Sequence, residues 1–255
     1  MKKSITFQAA CTTVALLCVT GFPKRDPVQS QNQVQTRCGI EDKKQYYVDF
    51  QENHNRRDQD KAFEAAKKYL ACPDANDQED ALASLNLAVG RTLSSKNSHS
   101  DAIPYLRKAA SYKSPIKMSP ETYYYLAHAY EQGPYEKLAT VYRANFEGKD
   151  ETDEGKLALE NLNQVIDRMI DAYARALALD GVKPPKPARR SVMRSEIKTV
   201  NEPGTPTEWM DDLTDWYRYR HKGSGAGLEK LIETILFQPL PAEPTEITSL
   251  PKGKK

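Results

Sequence analysis

Residues 83–116 read ASLNLAVGRTLSSKNSHSDAIPYLRKAASYKSPI, and the spacing of their apolar side chains decides the fold. Leu85, Ala88, Val89 and Leu93, with Leu82 just before them, recur three and four apart, which places one stripe on an α-helix over 79–95. Ala102, Ile103, Leu106, Ala109 and Ala110 make a second stripe over 100–111. Ser100 is the expected N-cap of that second helix, and Pro115 lies beyond its end. Neither run alternates with period two, so neither is a strand. Two amphipathic helices joined by a few polar residues form a hairpin whose apolar seams must meet.

The same pattern extends in both directions. Residues 43–55 carry Tyr46, Tyr47 and Phe50 on one side, and residues 58–71 carry Ala62, Phe63, Ala66, Tyr69 and Leu70 before Pro73 stops them. Residues 119–132 open with Ser119-Pro120-Glu121, an N-cap followed by proline at the first helical position, and Gly133-Pro134 is the expected stop. A shorter helix within 134–149 holds Tyr135, Leu138, Val141 and Tyr142. Thr152 or Asp153 then caps a long helix over 154–179, about 39 Å at 1.5 Å per residue. Its stripe runs through Leu159, Leu162, Val165, Ile166, Met169, Ile170, Tyr173, Ala176 and Leu177. The fold class is therefore all-α, a short stack of helical hairpins.

Downstream the composition changes. Residues 182–207 form a proline-rich linker with local basic charge, including Lys183, Arg189, Arg190 and Arg194. A helical pair occupies 208–238. Thr207 is the expected cap of its first helix, 208–220, which carries Trp209, Met210, Leu213, Trp216 and Tyr217. The acidic start (Glu208, Asp211, Asp212) and basic end (Arg218, Arg220, His221, Lys222) of this helix suit the helix macrodipole. A second helix, 228–237, follows with Leu228, Leu231, Ile232, Ile235 and Leu236. Residues 239–255 read as a disordered, proline-rich tail. The two terminal stripes need burial, either as a cap on the open end of the stack or by filling its groove.

Composition narrows the functional classes. The chain has 255 residues, 39% hydrophobic and 28% charged, which points to an elongated shape with much surface. Only 12 glycines argue against an all-β design or a glycine-loop nucleotide site. The first 21 residues resemble a secretory signal: Lys2 and Lys3, an apolar run Ala9 to Val19, and small residues before a cut after Gly21. That run is too short to cross a bilayer of about 30 Å as a helix. An uncut weak anchor is the competing reading, and lipidation at Cys11 or Cys18 is a third. Without Lys2 and Lys3 the remaining 35 Lys+Arg balance the 35 Asp+Glu, which removes any global case for nucleic-acid binding. Residues 22–38 follow as a flexible leader. The protein is thus expected to be exported, periplasmic or secreted, with membrane attachment only through an uncut signal or a lipid.

With Gly90 set against Ala127, two segments share one pattern. Val89-Gly90-x-x-Leu93 followed by Ala102, Leu106, Ala109 and Ser114-Pro115 matches Tyr123-x-x-Leu126-Ala127-x-x-Tyr130. This resembles the tetratricopeptide repeat (TPR), a helix-turn-helix unit of about 34 residues. The resemblance covers 39–181, with 83–116 the best unit and 43–74 degenerate in its first helix. The third unit starts at 120–132 and ends at 164–181, where Ala172-Tyr173-Ala174-Arg175-Ala176-Leu177 resembles a repeat ending. On such a scheme Cys38 and Cys72 stand at the neighbouring ends of the first hairpin, so a disulfide between them is expected.

The resemblance implies a protein or peptide partner held on the concave face. By alignment that face carries Leu87, Arg91, Ser94, Tyr124, His128 and Glu131, together with Ser84, Ser95 and Glu121, while Tyr123 packs inward. No HExxH, P-loop, GxSxG, dinucleotide glycine set or paired CxxC occurs, and the four histidines are not at metal spacings. No catalytic residue, cofactor or metal is expected. The function expected is a non-catalytic interaction scaffold of the cell envelope. An accessory or undetected hydrolase and a structural envelope protein are the alternatives.

Overall fold

A computed structural model describes residues 39–72, 77–181 and 204–248. The expected signal (1–21), leader (22–38), Cys38, most of the linker and the end of the tail lie outside these residues. Regular structure among the described residues is entirely helical. Nine α-helices run in order: α1 Ile40–Asn55, α2 Gln59–Leu70, α3 Glu79–Ser95, α4 His99–Ser111, α5 Pro120–Tyr130, α6 Glu136–Asn145, α7 Asp153–Asp180, α8 Pro206–Arg220 and α9 Leu228–Thr234.

Hairpins α1/α2 and α3/α4 pack as sequence neighbours, and α2 meets α3 while α4 meets α5. The third pairing skips an element: α5 packs on α7, with α6 set between them in sequence. A small residue sits where α3 and α4 come closest. A Cβ on Gly90 would lie 2.6 Å from Leu106 Cγ and 2.7 Å from its Cδ2, and Leu106 is fully buried. The backbones approach this closely only because the residue has no side chain. The core runs from Phe50, Phe63, Leu85 and Val89 at one end to Leu126, Ile166, Met169 and Leu213 at the other, and Leu93 packs against both parts.

The start of α1 is tied to the end of α2. Lys43 Nζ pairs with Asp77 at 2.5 Å and lies 4.7 Å from the centre of the Tyr69 ring, while Tyr69 donates to Asp77 at 2.9 Å.

Three local details depart from the sequence reading. Gly133-Pro134 does not stop α5. The chain passes through a π turn, Glu131–Tyr135, straight into α6. The wider turn accommodates the proline, which lacks an N–H and crowds a regular helical turn. Gly133 fits tightly there, since a Cβ would sit 3.0 Å from the Ser100 backbone nitrogen. The cap of α4 is Ser98 rather than Ser100, and that of α8 is Thr205 rather than Thr207. Thr205 and Glu208 form a capping box that satisfies two otherwise orphaned backbone donors. Thr152 caps α7, accepting from the Gly155 N–H at 3.0 Å.

The tail is the larger correction. Residues 238–248 are not disordered but lie extended along α7, antiparallel to it. They form a strap, held by side chains of α4, α5 and α7.

Candidate functional site

The expected groove positions separate into buried, covered and open. Leu87 is 8% exposed and belongs to the core. Ser94 is buried, with no hydrogen-bond partner for its hydroxyl among the described residues. Neither can meet a partner, because both are buried in the packed helices. Tyr124 is 3% exposed and lies under Trp209 of α8, ring centres 5.2 Å apart and nearly parallel. Glu131 accepts the Tyr173 hydroxyl at 2.8 Å. Burial together with that carboxylate pushes the Tyr173 phenol well up. His128 stands edge-on to His99 at 5.4 Å.

α8 is therefore what closes this end of the predicted groove. Trp209, Met210, Leu213 and Tyr217 are buried against α7 and its neighbours. Trp216 meets Tyr135 edge-on at 4.7 Å, and Arg220 holds Asp167 of α7 at 2.8 Å. Each large apolar side chain buried this way contributes about 1.5–3 kcal/mol relative to exposure. Of the two tryptophans that called for burial in the sequence, Trp209 is buried against Tyr124 of α5, and Trp216 is half-buried against Tyr135.

What stays open lies at the other end. Arg91, Thr92 and Ser95 of α3, Phe63 of α2, His54 at the end of α1, Arg57 and Tyr125 of α5 line an open furrow of about 480 Å³. The Arg91 guanidinium sits 4.8 Å over the Tyr125 ring and 3.6 Å from Glu121. The ring fixes the guanidinium by a cation–π contact, while the long, half-exposed ion pair leaves donors for another carboxylate. The Tyr125 hydroxyl is held in its neutral form by burial. Of the expected groove positions, Arg91 and Ser95 line this furrow, and their companions Arg57 and His54 had no place in the repeat alignment.

The other polar cluster is the bed of the strap. Arg175, 4% exposed on α7, pairs with Asp171 at 2.7 Å and donates to the Gln238 and Pro239 carbonyls at 3.1 and 3.0 Å. Burial raises the Asp171 carboxyl, against the pull of Arg175. Arg107 of α4 donates to the Pro241 carbonyl at 2.6 Å and pairs with Glu243 at 2.5 Å. The Tyr130 hydroxyl donates to the same carboxylate at 3.0 Å. Sequence reasoning passed over these arginines, although a cation inside the apolar ending Ala172–Leu177 signals that acceptors must be brought to it.

No group of three or more His, Cys, Asp or Glu side chains is arranged to hold a metal ion among the described residues. No helix among them is long and apolar enough to cross a membrane. No protein-family model, curated protein or solved structure matches the chain.

Proposed function

We propose that the chain is a TPR-like interaction scaffold, exported to the cell envelope, that holds a protein or peptide partner in the furrow around Arg91. The observation that carries this is the furrow itself. It combines an open concavity between the first two hairpins, an exposed-edge guanidinium fixed over Tyr125, and two further basic side chains, Arg57 and His54. Such a lining favours an acidic segment or a chain terminus carrying a carboxylate, because guanidinium pairs with it in a charge-assisted, bidentate fashion. The tight Gly90–Leu106 contact supports the repeat reading, since it falls at the position where a helical hairpin needs its small residue. The first hairpin is proposed to be closed by a Cys38–Cys72 disulfide. Lys43 over Tyr69 brings the beginning of α1 beside the end of α2, which is the proximity such a bond needs.

The test is affinity capture from envelope fractions with the wild-type chain and with Arg91→Glu as baits. One stoichiometric partner is expected with the wild type and is lost from Arg91→Glu at unchanged melting temperature. Equal recovery by both baits overturns the assignment of the furrow, and recovery of no partner by the wild type overturns the scaffold reading.

A further inference from the structure

We infer that the face of α7 shared with Arg107 and Tyr130 is a recognition site for an extended, acidic, proline-containing peptide of a partner protein, which the chain occupies in cis with its own residues 238–247. The site is separate from the Arg91 furrow and does not rest on it.

The argument begins with what the contacts read. Asn161, Gln164, Arg168 and Arg175 are spaced so that they share one face of α7. Over roughly 21 Å of helix they address successive backbone groups of the strap. Arg175 takes the Gln238 and Pro239 carbonyls. Arg168 donates to the Ala242 carbonyl at 2.7 Å, and Gln164 to that of Thr245 at 3.3 Å. Asn161 pairs both groups of Ile247, donating to its carbonyl at 3.0 Å and accepting its N–H at 2.8 Å. Recognition is thus of extended backbone, with one strap side chain, Glu243, read by charge through Arg107 and Tyr130. Side chains that engage the backbone at regular intervals bind any segment of the same conformation, and prolines at 239, 241 and 244 favour that conformation before binding.

A segment serving only as a cover would bury apolar side chains. None of residues 238–248 is buried, and Leu240 alone among them packs against the core. The last buried apolar side chain of the C-terminal region is Ile235, and the residue leading into the strap, Phe237, is 88% exposed. The bed, in contrast, is built: Asp171 holds the Arg175 guanidinium in place, and with the strap seated Arg175 is 4% exposed and meets the Gln238 and Pro239 carbonyls. A preformed polar bed, filled by a segment held mainly through its backbone and the Glu243 carboxylate, is suited to exchange of occupant. Tethering sustains the cis occupant at an effective concentration of order millimolar, so a strap with an intrinsic affinity of about 10 μM weakens the apparent binding of a competing peptide by about 100-fold.

The experiment uses the full chain and a fluorescent peptide of residues 238–248, QPLPAEPTEIT, followed by anisotropy. The strap is detached by Glu243→Lys with Ile247→Pro, changes that leave the bed untouched. The labelled peptide is expected to bind this variant saturably and the wild-type chain about 100-fold more weakly. Adding Asn161→Ala to the detached chain, or Glu→Lys at the Glu243 position of the peptide, should weaken binding at least about tenfold. Arg91→Glu should leave it unchanged, so failure here and failure of the furrow reading are told apart. Absence of saturable binding to the folded variant, equal binding to wild type and variant, or binding accompanied by strap-exchanged dimers overturns the inference. Should the detached chain unfold, excess peptide on the wild type provides the second measurement: displacement speeds exchange of the Ile247 amide, and an unchanged rate overturns the proposal.

Discussion

Replacing Gly90 by alanine sets two known effects against each other. An alanine in mid-helix is worth about 1 kcal/mol over glycine by intrinsic propensity. Against this, the new methyl would lie 2.6 Å from Leu106 Cγ, 2.7 Å from Cδ2 and 3.4 Å from the Leu106 backbone nitrogen. The clash is with the branch point of a fully buried side chain, hemmed by Ala102 and Ala109 on its own helix, so it is not relieved by swinging a free end. Overpacking of this kind costs about 1–3 kcal/mol, and with the propensity gain deducted the net loss is about 0–2 kcal/mol. For a chain of this size that lowers the melting temperature by up to roughly 8 °C. Chemical denaturation followed by far-ultraviolet circular dichroism reads the change directly. The contact is then isolated with Leu106→Ala, which alone costs about 2–5 kcal/mol. In the double variant the methyl occupies the space that Leu106 vacates, so the double should be more stable than the sum of the singles by about 1 kcal/mol or more. A stabilised Gly90→Ala, or strict additivity, would refute the close approach of α3 and α4 and the hairpin packing built on it.

Two further outcomes are expected, one from the burial of His99 and one from the proposed disulfide. Burial lowers the His99 imidazole below its usual range, and its Nδ1 has no hydrogen-bond partner among the described residues. The unfolded chain therefore takes up this proton first, so stability present at neutral pH falls as pH drops through about 6.5 toward the lowered folded value. Melting curves from pH 7.5 to 5 should show that loss at roughly the pH given, and His99→Leu should flatten it; an unchanged slope contradicts the burial. Reduction of the wild-type chain should expose two thiols, shift its mobility and lower the melting temperature, since closing a loop of this length stabilises by roughly 3–4 kcal/mol in the chain-entropy description. Two thiols titrating in the native, unreduced exported protein would remove the proposed Cys38–Cys72 bond.

Much of the helical framework was legible because its determinants are local. The stripes at 79–95, 100–111 and 154–179 repeat with the helical period, and Ser119-Pro120 and Thr152 mark starts that the structure keeps. The small residue at 90 was legible as a packing position for the same reason. Gly133-Pro134 misled because the same dipeptide that usually ends a helix is here absorbed by a π turn, with Gly133 packed against Ser100 of another helix. Tyr124 was read as a binding residue because its burial depends on Trp209, far along the chain; that the tryptophan required a partner was legible, but not which one. The strap was invisible because it is held through carbonyl groups, which every residue has. Its trace in the sequence was on the receiving side, in Arg175 set among Ala174, Ala176 and Leu177.

The account depends most on α8 lying over α5 and α7, since this placement decides which of the expected groove positions are covered. The chain has only two tryptophans, so their indole signals can be assigned by single substitutions. A nuclear Overhauser spectrum of the folded chain tests the placement. The account predicts cross-peaks from the Trp209 indole to the Tyr124 ring and from the Trp216 indole to Tyr135, at separations set by ring centres 5.2 and 4.7 Å apart. Indole signals at solvent-exposed positions without those cross-peaks would contradict it.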